Sequence, residues 1–230
     1  MTTYREDLDA IFAGRPASQH WPEIFQPLRI AVRTHGLPRE PLADLLSAFT
    51  QDIDNPTYPD RDALLDYCRR SANPIGRLLL HLHGVDDPVR LSQSDHLCTS
   101  LQLINFWQDL SVDLPRGRVY LPLADAHRHG VSLENPSRLT DSAATKRLVA
   151  CLCDWAGAEM RQGAPLALAL PGRTGWEARL VVQGGLRMLD KIRASGFATV
   201  GMRPTLGVGD LPKMFWRGFR MRESADAGLA

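Results

Sequence analysis

Four polar side chains recur at helical spacing in the segment SDHLCTSLQLINFWQDLSVDLPRGRVY, Ser94 to Tyr120: Gln102, Asn105, Asp109 and Asp113. On a helix advancing about 100° per residue, with Gln102 at zero, Asn105 falls near about −60°, Asp109 near about −20° and Asp113 near about +20°. Cys98 and Asp95 continue the stripe toward the N-terminus, while Leu97, Leu101, Leu103, Ile104, Trp107, Leu110 and Val112 take much of the remaining circumference. A helix apolar on most sides is buried, and buried carboxylates need a partner or a cation. The stripe is therefore expected to line a cavity. Two carboxylates four residues apart with a carboxamide one turn earlier are hard oxygen donors suited to Mg²⁺, an ion commonly shared with substrate phosphates. Spacing alone also allows a plainer alternative, a solvated face or caps near a helix end; the apolar surround, with Gln102 and Asn105, favours the cavity. Just beyond come Arg116, Arg118 and Tyr120. Guanidinium groups bind phosphate oxygens well, so acid on a helix and base on the next loop could together hold a metal-bridged diphosphate. An ordinary basic turn is the alternative for that loop.

The elements that must position these residues are helices. Apolar residues recur at helical spacing, and Leu and Ala dominate over Val, Ile and Thr, so the chain is expected to be all-α. Proline and glycine punctuate it into about seven helices. They run from about Tyr4 to Phe12, Pro22 to His35, Leu37 to Gln51, Asp60 to His83, Pro88 to Leu114, Thr140 to Arg161 and Gly175 to Ala194. A short basic and aromatic one follows from about Leu211 to Met221. Asp60 is a plausible N-cap and Gly84 a stop. Asn73-Pro74 falls inside the fourth helix, where a proline kinks it. Neither internal repeat nor low-complexity linker divides the 230 residues, so one domain spanning 1–230 is expected.

Composition sets the outer limits. Lys plus Arg is 27 against 26 Asp plus Glu, a net charge of +1, so no global charge points to nucleic acid. The four cysteines form no CxxC pair and the opening MTTYREDLDAIF is charged where a signal peptide is apolar, which suggests reduced thiols and a cytoplasmic protein. His81-x-His83, His127-x-His129 and Cys151-x-Cys153 point in divergent directions on a helix; the histidines are read as structural or solvent-facing, and the cysteines, with no partnered pair, as not zinc-binding. Trp155 and Trp176 are read as core anchors. The segment LPKMFWRGFRMR could pack on the domain or rest peripherally on the inner membrane face.

The string QLINFWQDLSVDLPRGRVYLP resembles the second aspartate-rich motif of the squalene/phytoene synthase family, the head-to-head prenyl synthases: Q-x-x-N-x-x-x-D-x-x-x-D followed by G-R-x-Y-L-P. Upstream, YCRRSANPIGRLLLHLHG is similar to the family's Y-x-x-x-V-A-G-x-V-G helix, and GGLRMLDKIRASGF to a late one, so the likeness covers about Asp7 to Phe219. Asn73-Pro74 and Phe106-Trp107-Gln108 resemble the hopanoid-pathway, hydroxysqualene-forming branch more than phytoene synthases. The resemblance implies an isoprenoid synthase fold around a deep cavity, Mg²⁺ and a prenyl diphosphate substrate. Asp109 and Asp113 would be metal ligands, Gln102 and Asn105 would line the diphosphate site, and Arg116, Arg118 and Tyr120 would bind substrate. The helix bearing Tyr67 and Gly76 would flank the hydrocarbon. The implied reaction is conversion of presqualene diphosphate to hydroxysqualene, alongside partner enzymes of the squalene/hopanoid pathway. Two alternatives remain open: head-to-head condensation of farnesyl diphosphate, and a non-catalytic isoprenoid-binding accessory subunit.

Two features depart from the family pattern. The family's first D-x-x-x-D, on an early helix, has no counterpart: Glu6, Asp7 and Asp9 do not form it, Asp52 and Asp54 are two apart, and Asp62/Asp66 reads as acidic surface. This suggests a late start codon, a fragment or a divergent protein, and weak activity without a preceding segment. On the late helix, Gly184 or Gly185 stands where squalene-forming relatives carry a tyrosine, and no nucleotide-binding element for NADPH is present. Both favour a product made by water capture.

Overall fold

The computed structural model describes residues 2–222, among which there are helices, turns and loops and no strand. The twelve α-helices are α1 (Thr2–Phe12), α2 (Pro22–His35), α3 (Arg39–Asp54), α4 (Arg61–Ser71), α5 (Asn73–Leu82), α6 (Pro88–Gln108), α7 (Leu110–Asp113), α8 (Leu123–Arg128), α9 (Ala143–Gly163), α10 (Leu166–Ala169), α11 (Gly172–Ala194) and α12 (Leu211–Arg220). No helix among the described residues is long and apolar enough to cross a membrane.

Local chemistry explains most boundaries. Proline occupies the first turns of α2, α5, α6 and α12, where its missing N–H costs nothing. Asp60 caps α4 by accepting from the Ala63 amide (2.9 Å), Asp87 caps α6 through Val89 (2.7 Å), and Ser142 caps α9 through Thr145 (3.1 Å). Gly36 and Gly84 terminate α2 and α5 in the left-handed conformation, φ +60° and +67°.

Two expected helices are each broken in two. The span from Asp60 to His83 is not one kinked helix: α4 ends at Ser71, Ala72 sits at φ −117°, and α5 starts at Asn73. Pro74 has no N–H to continue the ladder, and the Asn73 side chain is buried, with its Oδ1 accepting from Thr99 Oγ1 of α6 (2.9 Å). Likewise the helix expected to reach Leu114 ends at Gln108. Its next free amide, Ser111 N–H, donates to the carbonyl of Thr199 (3.0 Å), where a continuous helix would have used Trp107.

The core is built on the antiparallel pair α6 and α9, each 21 residues, with α4, α5, α10 and α11 packed around it. Leu97, Leu103, Ile104 and Trp107 of α6 are buried, as are Leu148, Leu152, Ala156 and Met160 of α9. Ser100 Oγ crosses between the two to donate to the Ala156 carbonyl (2.8 Å). Toward the end of α9 the backbones nearly touch: a Cβ on Gly163 would lie 2.5 Å from the Leu97 nitrogen. A second, smaller cluster joins Leu8, Ile11 and Phe25 where α1 packs on α2 and α3.

Gly163→Ala should overpack this crossing and destabilise the protein by about 1–3 kcal/mol. Gly157→Ala on the same helix meets nothing nearer than 3.7 Å. It should be neutral or stabilise by up to about 1 kcal/mol through helix propensity. Urea denaturation of the two variants checks both.

Candidate active site

The acid stripe lies across the α6–α7 break. The break does not scatter it, because the Asp109 amide donates to the Asn105 carbonyl (2.9 Å) and the Asp113 amide to the Asp109 carbonyl (2.9 Å). Helical register thus persists through the residues that matter. Leu103, Ile104, Phe106, Trp107 and Leu110 face the core, while Gln102, Asp109 and Asp113 are partly exposed and Asn105 is exposed. Gln102 and Asn105 form no side-chain hydrogen bond with the described residues, so both amides are available to a ligand.

The two carboxylates have different surroundings. Asp109 is gripped by Arg203, whose Nε donates to Oδ1 (2.5 Å) and whose second terminal nitrogen donates to Oδ2 (3.1 Å). This fork geometry is the strongest form of such a pair. Asp113 has no such partner: burial, and then the neighbouring Asp109 charge, push its carboxyl above the usual range, with Arg118, Arg116 and Arg203 opposing. Arg116 and Arg118 are exposed and form no ion pair with the described residues. Their loop is held in place by backbone: Gly117 takes φ +74°, the Arg118 amide donates to the Asp113 carbonyl (3.0 Å), and Asn55 Nδ2 donates to the Gly117 carbonyl (3.0 Å).

Arg203 was not singled out in the sequence, and only the fold brings it here. It sits on the segment following α11, a strap fixed at several points. The Thr199 carbonyl accepts from Ser111, Asp141 accepts from the Val200 and Gly201 amides (3.0 and 2.8 Å), Gln108 Nε2 donates to the Pro204 carbonyl (2.9 Å), and Lys191 Nζ to that of Thr205 (2.6 Å).

An aromatic wall continues from Asp113 toward α3 and α4. Tyr120 stacks on Phe106 with ring centroids 3.9 Å apart and planes 8° from parallel, and Tyr58 and Tyr67 each lie 6.0 Å from it. The buried Tyr67 hydroxyl donates to Asp52 Oδ1 (2.8 Å), and burial together with that bond raises its pKa, so it remains a protonated donor. Asp52 is a second residue that sequence spacing did not connect to the site. Beyond the wall, Phe49 and Ile53 of α3 and Ile75 and Leu79 of α5 leave large apolar surfaces exposed on neighbouring helices. Gly76 is buried by its neighbour helix: a Cβ there would stand 2.3 Å from Ser94 Oγ and 2.6 Å from Cys98 Sγ, so its lack of side chain lets α5 approach α6.

The remaining acids lie elsewhere. Asp7 accepts from the Ser18 amide and hydroxyl (2.6 and 2.7 Å), Asp9 pairs with Arg39, and Asp66 is held on the surface by Arg69 and Arg70. Among the described residues no three His, Cys, Asp or Glu side chains form a group able to hold a metal. The donor set is therefore the pair Asp109 and Asp113, too few for a cage made of protein alone. It still suits Mg²⁺, which needs one or two carboxylates when substrate phosphate and water complete its shell. A divalent cation there would also offset the burial and the Asp109 charge that raise Asp113.

The raised Asp113 pKa has a stability consequence. Above that pKa the folded state carries a disfavoured charge, so Asp113→Asn should raise the melting temperature at neutral pH. The advantage should shrink as pH falls through the folded pKa toward the unfolded one. Asp109→Asn removes the charge and one of the two oxygens that accept from Arg203, and should not stabilise. Thermal melts of both variants at neutral and mildly acidic pH test the contrast.

A sequence model described as squalene/phytoene synthase matches residues 1–211. A hydroxysqualene synthase of Rhodopseudomonas palustris is 33% identical over 180 residues, covering 77% of this chain and 60% of the relative. This chain thus spans less than two thirds of that relative. A presqualene diphosphate synthase of the same organism is 28% identical over 196 residues, covering 85% and 68% of the two chains. The solved structure of a squalene synthase from Alicyclobacillus acidocaldarius superposes with a TM-score of 0.77 at 36% identity, covering 86% of this chain and 73% of that one. The all-helical architecture, the acid stripe and its arginines, and these matches agree, and the chain belongs to the squalene/phytoene synthase family.

Proposed function

We propose that the chain acts on presqualene diphosphate, ionising it and letting water capture the cation to give hydroxysqualene and free diphosphate. The observation that carries this reading is one juxtaposition: a carboxylate pair and three guanidinium groups, Arg116, Arg118 and Arg203, at the edge of an aromatic and aliphatic wall. The polar end suits a diphosphate and the apolar end a long hydrocarbon.

In the ionisation the C–O bond breaks and its electron pair leaves with the diphosphate. Negative charge then grows on the leaving oxygens, where Arg116 and Arg118, with no competing partner among the described residues, would donate to it. Asp109 and Asp113 would hold Mg²⁺, which supplies a Lewis acid for the same leaving group. Gln102 and Asn105 offer amides to orient the phosphate. Tyr120, partly exposed and backed by the buried Phe106 and Tyr58, would offer the aromatic face along which the cation lies. Water then adds its oxygen to the cation and loses a proton to solvent.

Positions 184 and 185 are both glycine, so neither offers a side-chain hydroxyl to the cation, which agrees with capture by water. The similarity to a presqualene diphosphate synthase favours a second reading, condensation of two farnesyl diphosphates.

Purified protein supplied with presqualene diphosphate and Mg²⁺ should release diphosphate and form hydroxysqualene. Asp109→Asn and Asp113→Asn should each lower kcat by about 10²–10³. Turnover that survives both substitutions, or presqualene diphosphate appearing from farnesyl diphosphate with no hydroxysqualene, would reject the proposal in favour of a binding role or the condensation.

A further inference from the structure

We propose that the outer face of α12, with residues 202–208 leading into it, docks on the surface of an anionic lipid bilayer. Helical geometry divides α12 into three arcs of unlike chemistry. Met214 and the buried Gly218 face α11, where a Cβ on Gly218 would already touch Leu180, Arg179 and Trp176 at 3.7–3.8 Å. Leu211, Phe215, Trp216 and Phe219 span the adjacent arc and remain exposed, Trp216 at 61% and Phe219 at 74%. Lys213, Arg217 and Arg220 take the third arc. The sequence left two readings for this helix, packing on the domain or resting on a membrane. The structure seats Met214 and Gly218 on α11, ties the flanks of the other two arcs to it through Phe215 against Trp176 and Arg217 and Lys213 against Asp190, and leaves Trp216, Phe219 and Arg220 facing outward.

The neighbourhood enlarges both chemistries. Met202, Leu206 and Val208 are exposed on the approach to the helix, Val208 at 84%. No acidic residue lies on α12. Among the described residues the carboxylates near the helix are already matched: Asp190 by Arg217, Lys213 and Arg187, and Asp210 by Arg187 and Lys191. Arg220 lies over the Trp216 ring at 5.4 Å, so its charge stays beside the apolar arc. Arg220 has no acidic partner among the described residues, and Arg187, Lys191, Lys213 and Arg217 face only Asp190 and Asp210, so positive charge is in excess beside exposed aromatics, as an interfacial helix needs: rings to enter the headgroup boundary and cations to meet anionic lipid.

Charge selects the occupant. A second copy docked through the same face would bring an identical basic rim against this one, since a two-fold interface is self-complementary, and like charges oppose it. A bilayer rich in phosphatidylglycerol offers the opposite sign together with an apolar interior. The segment carrying Met202 and Leu206 also carries Arg203, so the docking face continues into the edge of the acid site. The proposal does not depend on which diphosphate the site takes.

The test is sedimentation of the full chain with vesicles of phosphatidylcholine alone and of phosphatidylcholine mixed with phosphatidylglycerol. The wild type should pellet with the mixed vesicles, be released by added salt, and stay largely in solution with phosphatidylcholine. Trp216→Ser combined with Phe219→Ser should lower the partition coefficient at least about tenfold, and Arg220→Gln several-fold, with the melting temperature unchanged. Should the double variant fold poorly, Phe219→Ser alone carries the comparison. Wild-type protein that ignores the mixed vesicles, or variants that bind them as it does, would overturn the proposal. A dimer that the substitutions dissociate, without vesicle binding, would give the face to a second copy.

Discussion

Everything in this molecule depends on how α6 is enclosed. The helix must bury Leu97, Leu103, Ile104, Phe106 and Trp107 against α9, α5, α4 and α11, yet keep one line of polar side chains reachable by a charged ligand. Burial of that much apolar surface is the main stabilising term for the fold. It is also what raises the free energy of a carboxylate at the edge of the same helix. Close approach at Gly163 and Gly76 makes the enclosure tight on two sides, α5 covers the start of the polar line at Asp95 and Cys98, and its stretch from Gln102 to Asp113 is left partly exposed. Stability and an acid pair that seeks a cation thus come from one arrangement.

The end of α6 adds a second layer. A continuous helix would carry the acid pair on a rod with no tie to the late part of the chain. Breaking it at Asp109 frees the Ser111 amide to bond the Thr199 carbonyl, and the strap so attached delivers Arg203 to Asp109. The two aspartates become inequivalent as a result, one neutralised by a guanidinium and one left with unfavourable charge. A ligand arriving with its own cation competes with Arg203 for Asp109 but finds Asp113 unclaimed.

What could be read in advance was what is decided locally. The limits of α2 follow from Pro22 and Gly36 and the start of α4 from Asp60, because caps and left-handed glycines act within a turn of themselves. The acid stripe was legible because periodicity within a single helix suffices to align it. The breaks at Ala72 and Asp109 were not, because the groups that stabilise them, the Thr99 hydroxyl and the Thr199 carbonyl, come from other elements. Asp52 was weighed only as half of a carboxylate pair with Asp54, and Arg203 not at all, for the same reason: their partners Tyr67 and Asp109 meet them only after α3 packs on α4 and the strap crosses α6. Gly76 was expected from the family likeness to flank the hydrocarbon, while the task visible in the fold, admitting Ser94 and Cys98, belongs to packing.

The Ser111–Thr199 bond has one more implication. It joins two main chains, so neither side chain specifies it, and it can be lost only when the strap lifts from the helix. Amide hydrogen exchange at Ser111 therefore times the opening of a loop far along the chain. A proton in the acid helix keeps the clock for the segment that brings it an arginine.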